Sequence, residues 1–480
     1  MFSSVTKASA EYQSQRSAHW DGLAEKFSHA GLRSYYHRRI TDLYRELIPQ
    51  GERILEVGCA QGDLLAALQP SRGVGVDFSG CMIASAQGKY PALEFMQCDA
   101  HNLKDVSGPF DYIIFSDLIG DLWDVQRFFE EVRKLCTPET RVVFNVYSHL
   151  WSQPVRLAQS SGCANPLLPQ NWLCLDDING LLKLTGLELV AHRPEILFPL
   201  YLPVLTAVFN RYLVKFKPFS WFALTDFVVA APVPVSVLSD LKPTVSVIIP
   251  ARNEAGNIRE ILERVPQMGG GTELVFVEGG SVDLTEETIR SLLADNPHIN
   301  GVLAKQTGTG KGDAVRLGFE VASGDVLMIL DADLTVAAED LPKFYSALLN
   351  GRGEFINGVR LVYPMHEKAM RFFNLLGNKF FSMAFSWLLG QPVKDTLCGT
   401  KALWKRDYHK IARNRSCFGD FDPFGDFDLL FGAARLNLKI IDLPVRYGER
   451  TYGTTNISRW SHGLLLLRMV VFAARRLKFI

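Results

Sequence analysis

Two short apolar runs, each breaking off abruptly into residues suited to a ligand, constrain this chain more than anything else in its sequence. The first is R-I-L-E-V-G-C-A-Q-G-D-L-L-A-A-L, Arg53 to Leu68, where the run ends in glycines. The second is G-D-V-L-M-I-L-D-A-D-L, Gly324 to Leu334, where it ends in paired carboxylates. Each reads as a buried strand, a loop and the start of a helix. Such units build doubly wound α/β sheets, so the expected fold class is α/β with two doubly wound domains.

The rest of the chain supports this division. At 480 residues it is long enough for two cores. Strands are suggested at Ile54–Val57, Gly73–Val76, Leu93–Gln97, Tyr112–Phe115 and Val142–Val146, with later ones near Leu187–Ala191 and Leu224–Val229. A second alternation carries strands at Val245–Ile249, Leu274–Val277 and Val326–Leu330. Between the two lies A-A-P-V-P-V-S-V-L-S-D-L-K-P, Ala230 to Pro243, a proline-rich linker. The boundaries expected are 1–34 for a helical extension, 35–232 for the first domain, 233–243 for the linker, 244–460 for the second domain and 461–480 for a final helix.

Composition excludes several classes. Lys plus Arg and Asp plus Glu are 51 each, so no net charge steers the chain to nucleic acid. The eight cysteines have no C-x-x-C pairing or metal spacing, as in a reducing compartment. The N-terminal residues lack the apolar core of a signal peptide, so a cytoplasmic location is expected. The apolar stretch Leu464 to Ala474 would be ~16 Å long as a helix, against ~30 Å of bilayer hydrocarbon.

In the first site Glu56 ends a strand, Gly58 permits a tight turn, and Gly62 lets a helix begin close to a ligand. Exposed amides at that helix start suit an adenosyl group or an anion. Asp77 ends the next strand, where a carboxylate can accept both ribose hydroxyls. Asp99 ends the third, near where an adenine amino group would lie, and F-D-Y-I-I-F-S-D brings Asp117 to the end of the fourth. This ordered set resembles the class I S-adenosylmethionine-dependent methyltransferases over about residues 35 to 232. The resemblance implies that Glu56, Gly58, Gly62, Asp77 and Asp99 bind S-adenosylmethionine, with Asp117 either touching it or capping the following turn. Ala60 stands where the family often has glycine. No N/D-P-P-Y/F motif follows the fourth strand, which argues against amino-group methylation on nucleic acid. His149 is a candidate to deprotonate a hydroxyl acceptor, and the acceptor itself is not legible.

In the second site V-S-V-I-I-P-A-R-N-E leads from a strand through Pro250 and Arg252 to Glu254, and Glu278 ends the next strand. G-T-G-K-G-D, with Lys311, precedes the strand that ends in Asp331-Ala332-Asp333. Two carboxylates one residue apart can share a hard divalent cation, Mg²⁺ or Mn²⁺, with a diphosphate. The series resembles inverting GT-A glycosyltransferases of the dolichyl-phosphate mannose and glucose synthase branch over about residues 244 to 460. That resemblance implies a nucleotide-sugar site made by Pro250, Arg252, Glu254, Glu278, Lys311 and Asp331, with the metal on Asp331 and Asp333. Glu278-Gly279 stands where the family often has paired aspartates, and Thr335 where close relatives place a glutamine metal ligand. Arg360, Arg371, the K-D-T-L-C-G-T-K segment with Asp395, and Arg450 in E-R-T-Y-G-T-T-N resemble the region that holds an acceptor phosphate. A phosphate is already an anionic nucleophile, so it needs positioning by cations more than a strong base.

A polyprenyl phosphate acceptor lives in a bilayer. The C-terminal S-H-G-L-L-L-L-R-M-V-V-F-A-A-R-R-L-K-F-I carries cations and no carboxylate. It reads as a basic amphipathic helix for the cytoplasmic membrane face, and alternatively as a core helix with snorkelling cations. Three functions follow as expectations. The first is a bifunctional enzyme that glycosylates a polyprenyl phosphate and methylates an unknown acceptor. The second keeps the glycosyltransferase beside a non-catalytic S-adenosylmethionine-binding or scaffold domain. The third is a processive polysaccharide synthase, prompted by N-I-S-R-W at Asn456–Trp460.

Overall fold

The computed structural model describes residues 2–24, 33–160, 168–234, 242–360, 362, 372–415, 425–448, 450, 452 and 459–479. The chain separates into two compact units, Met1–Val233 and Pro234–Ile480.

The first unit is built on seven strands: β1 (Arg53–Val57), β2 (Arg72–Asp77), β3 (Glu94–Gln97), β4 (Tyr112–Phe115), β5 (Arg141–Tyr147), β6 (Leu187–Glu195) and β7 (Thr225–Pro232). Their order in the sheet is β3-β2-β1-β4-β5-β7-β6. β1 pairs in parallel with both β2 and β4, and β7 inserts antiparallel beside β5. Successive residues of a strand point to opposite faces. Leu55 and Val57 therefore join the core on one side of the sheet, and Ile54 joins the core on the other. Strands buried on both faces read as unbroken apolar runs, which is why R-I-L-E-V and Y-I-I-F were visible in the sequence.

The second unit repeats the layer type with β8 (Val245–Ala251), β9 (Thr272–Glu278), β10 (Gly301–Lys305), β11 (Val326–Ile329), β12 (Phe355–Val359), β13 (Lys401–Trp404) and β14 (Ile440–Pro444). Their order is β10-β9-β8-β11-β13-β12-β14. β8 is parallel to β9 and β11, whereas β13 runs antiparallel between β11 and β12. Both sheets are mixed, and each keeps a parallel half.

In each parallel half the connections reverse direction at one point, between β1 and β4 and between β8 and β11. Helices leave opposite faces there, so a crevice opens beyond the carboxyl ends of those strands. The glycine loop follows β1, and Asp331 and Asp333 follow β11.

The final helix, Arg459–Leu477, turns Leu466, Met469, Ala473, Ala474 and Leu477 into the second unit's core. It packs against the helix Phe372–Leu389. Its outward side mixes Arg468, Arg475 and Arg476 with Leu467 and Val471. The core-helix alternative therefore describes its apolar side, and only the outward stripe is available to a membrane. No helix among the described residues is long and apolar enough to cross a bilayer.

Candidate active sites

The crevice of the first unit is a cavity of about 1110 Å³ lined by Glu56, Gly58, Asp77, Asp99 and Asp117, of a size that suits a cofactor. β1 delivers Glu56, which is buried at 2% exposure. Its Oε2 has no partner among the described residues, and burial pushes its carboxyl well above the usual carboxylate range. Gly58 (φ 73°) turns the chain, and the amides of Gly58 and Cys59 both bond Val76 O.

Asp77 closes this loop against β2. Its Oδ2 accepts the Ala60 N–H and its Oδ1 the Ser79 N–H, both at 2.9 Å. Burial raises its pKa despite those bonds. Ala60 adopts φ 44°, a left-handed conformation that costs a residue with a Cβ roughly 1–2 kcal/mol. Gly62 does not line the cavity. A Cβ there would meet the Phe95 ring at 2.6 Å and φ is 79°, so both packing and backbone conformation call for glycine.

Asp99 holds His101 through Oδ1, with the ring Nδ1 at 2.9 Å, and accepts Gln13 Nε2 at 2.8 Å on Oδ2. Burial alone would raise its pKa, but these bonds outweigh that and hold it low. Asp117 (φ 54°) accepts the Tyr36 hydroxyl at 2.8 Å and Asn145 Nδ2. Burial pushes its pKa up to about 6. Asp117 is therefore bound to its neighbours at the cavity wall and does more than cap a turn. His149 sits exposed on a turn after β5 beside Trp172 and does not line the cavity, which removes the geometric basis for it as a base.

The helix Phe2–Ala24 forms part of this cavity's wall through Tyr12, Gln13, Arg16 and Trp20. Gln13 bonds Asp99 and Trp20 Nε1 bonds Asp121. No residue pattern in that segment announces this, because its apolar spacing is weak and its partners are about a hundred residues away.

In the second unit Pro250 lies in β8, and Arg252 follows it, exposed. Glu254 is buried, bonded by Asn257 Nδ2 at 2.7 Å and paired with Arg450 Nη1 at 3.3 Å. Burial raises its pKa against the pull of Arg450. Glu278 ends β9 and accepts the Ser281 N–H. Lys311 opens the helix Lys311–Val321, and its Nζ lies 2.5 Å from Asp331 Oδ1. Burial opposes ionisation of Asp331, yet Lys311 keeps its pKa below the usual value. Arg450 Nη2 lies 2.6 Å from Asp333 Oδ2, and Thr335 donates its N–H and hydroxyl to Asp333 Oδ1. A Cβ at Gly399 would meet Asp331 Oδ2 and Lys311 Nζ at 2.3 Å, so only glycine leaves this pair its space.

Arg360 is spent on Asp395: Nε to Oδ2 is 2.8 Å and Nη2 to Oδ1 is 2.9 Å, a two-pronged buried pair. The two act as one unit, and Arg360 is close enough to Asp331 to help hold that carboxyl low. Arg371, Glu449 and the N-I-S of Asn456–Ser458 lie outside the described residues. Lys401, the last residue of the K-D-T-L-C-G-T-K segment, is fully buried and bonds Cys398 O. Among the described residues no group of three or more His, Cys, Asp or Glu side chains clusters as metal ligands. Asp331 and Asp333 are a two-carboxylate set whose negative charge is balanced here by Lys311 and Arg450.

Two α/β units, each with carboxylates gathered at its switch point, define an enzyme of two ligand-binding domains. Residues 32–192 match the methyltransferase domain model and residues 246–411 match glycosyl transferase family 2. The chain joins a methyltransferase domain to a family 2 glycosyltransferase domain. Its second half is 31% identical to glycosyltransferase AglJ of Haloferax volcanii over 216 residues, 44% of this chain and 66% of that protein. It is 30% identical to the dolichol-phosphate mannosyltransferase of Pyrococcus furiosus over 219 residues, 44% of this chain and 59% of that protein. The chain spans less than two thirds of the length of either relative. The solved structure of glucosyl-3-phosphoglycerate synthase from Mycobacterium tuberculosis is 19% identical, with a TM-score of 0.37, covering 51% of this chain and 83% of that one, a likeness too slight to carry a function.

Proposed function

We propose that the second unit transfers a sugar from a nucleotide sugar to a polyprenyl phosphate at a membrane surface, with inversion, and that the first unit transfers a methyl group from S-adenosylmethionine. The observation that carries the sugar transfer is the convergence of Glu254, Lys311, Asp331, Asp333 and Arg450 at the β8/β11 switch point. The match to family 2 and the name of the Pyrococcus relative support the acceptor class.

Asp331 and Asp333 fit a hard divalent cation, Mg²⁺ or Mn²⁺: they are carboxylates one residue apart, each paired with a cation that a metal can replace. Such an ion neutralises charge that builds on a departing diphosphate. Lys311, released from Asp331, reaches the same phosphate region, and Arg450 is placed to swing from Asp333 to an anion. The acceptor phosphate oxygen forms the new bond to the anomeric carbon while the bond to the nucleoside diphosphate breaks, which inverts that carbon. No proton need be removed from the nucleophile.

In the first unit the residues fit S-adenosylmethionine. Glu56, whose Oε2 has no partner among the described residues, lines a cavity of adequate volume, and Asp77 keeps acceptor capacity beyond its two amide bonds. The cofactor supplies an electrophilic methyl group. Asp77 and Asp99 orient it, and the helix Phe2–Ala24 helps exclude water.

The test is incubation of the purified chain with a panel of labelled sugar nucleotides, a polyprenyl phosphate and Mn²⁺. Labelled lipid carries the proposal. Label in long polymer instead would favour a processive synthase. Formation of S-adenosylhomocysteine separates a working methyltransferase from a binding module.

A further inference from the structure

Residues 196–225 of the methyltransferase unit contain no Asp or Glu but include Arg211, Lys215 and Lys217. This segment exposes large apolar side chains to an unusual degree: Val204 at 76%, Trp221 at 61% and Phe222 at 58%, with Leu205 and Tyr201 about half exposed. Isolated exposed apolar residues are ordinary, but this concentration of them in one short segment of successively packed helical turns marks an interaction surface.

The set is held in place from beneath. Asn210, buried, accepts the N–H groups of Leu197 and Phe198 at 2.8 and 2.7 Å and donates to Tyr35 Oη at 2.9 Å. Thr206, buried, bonds Leu200 O and accepts the Leu202 N–H, each at 2.7 Å. Lys215 reaches inward to Glu195, so that cation is structural. Trp151 Nε1 bonds Phe222 O at 2.9 Å and brings the exposed Leu150 turn alongside. Buried polar groups thus fix an outer surface that is apolar, aromatic and rimmed by the exposed cations Arg211 and Lys217.

We propose that this face of the methyltransferase unit, centred on Val204, Leu205, Trp221 and Phe222, seats on an anionic lipid bilayer. The chemistry selects that occupant. Aromatic and aliphatic side chains enter the headgroup boundary, basic residues meet anionic headgroups, and no carboxylate in the segment opposes them. The surface belongs to the first unit and the C-terminal helix to the second, and the proposal is independent of the sugar-transfer reading. Pro199 and Leu200, at the segment's start, also line the cofactor cavity, so the cavity wall is continuous with the lipid-facing segment.

The test uses the full chain and vesicles of equal parts phosphatidylcholine and phosphatidylglycerol in flotation. Leu205→Asp, Trp221→Asp and Phe222→Asp combined should lower vesicle partitioning at least about tenfold. The unfolding midpoint and S-adenosylmethionine binding should stay as in the unsubstituted chain. Unchanged partitioning overturns the proposal, as does a wild-type dimer that the substitutions convert to monomer, which would make the face a contact between copies. If the combined variant does not fold, hydrogen exchange on the unsubstituted chain decides. Peptides across 200–222 should gain protection on adding vesicles, and no gain overturns the proposal.

Discussion

Arg450 Nη2 lies 2.6 Å from Asp333 Oδ2 and its Nη1 lies 3.3 Å from Glu254 Oε1, joining a late loop to both the first and the fourth strands of the glycosyltransferase sheet. A cation that bridges two acids of an otherwise acidic crevice can exchange partners when a diphosphate and its metal enter. Arg450→Ala should lower the rate constant for sugar transfer by ~10², the scale of losing one preorganised charge stabiliser. Steady-state assay of labelled lipid checks this, and a rate within twofold of wild type would remove Arg450 from the site.

Asp331→Ala and Asp333→Ala should each abolish sugar transfer and leave S-adenosylmethionine affinity unchanged, since the carboxylates belong to a separate unit. Activity of either variant in the presence of EDTA would overturn the metal assignment.

Asp77→Ala removes two charge-assisted bonds to the Ala60 and Ser79 amides as well as the expected ribose contacts. Each such bond is worth ~1.5 kcal/mol or more, so cofactor affinity should fall at least tenfold in calorimetry. An unchanged dissociation constant would mean that the ribose is held elsewhere.

Asp117 has its pKa pushed up to about 6 by burial. A carboxyl raised in the folded state contributes stability that is fully present below its unfolded value and is lost as pH rises through about 6. Asp117→Asn should remove that part of the slope between about pH 4 and 7. Denaturation midpoints of the two proteins across this range provide the measurement. Parallel curves would place the titration on another group.

Leu466 lies on the buried side of the final helix, in the core of the second unit. Leu466→Ala should destabilise the glycosyltransferase unit by about 2–5 kcal/mol. By contrast, Arg468→Ser, Arg475→Ser and Arg476→Ser, on the exposed side, should each change stability by less than about 0.5 kcal/mol. If the outward stripe meets a membrane, the triple serine variant should release the chain from anionic vesicles without unfolding it. Deleting residues 461–480 would expose the core and confound binding with folding.

The sequence by itself determined the α/β class of both units and the strand ends that carry Glu56, Asp77, Asp99, Asp117, Asp331 and Asp333. Those features are local: an apolar run buried on both faces and the residue that leaves it are written within a few positions. It did not determine the strands β10 and β12 to β14 or the antiparallel pairings that make both sheets mixed. Tertiary structure decided what depends on distant segments meeting. Gln13 reaches Asp99, Arg450 reaches Asp333 and Glu254, and Arg360 closes on Asp395. His149 proved exposed, Gly62 proved to pack against Phe95, and the final helix buried the apolar side that its composition offered to a bilayer. The outward apolar face at 200–222 was likewise invisible, because an apolar run reads the same whether it turns inward or outward. Only the packing of Asn210, Thr206 and Lys215 beneath it sets which way those side chains point.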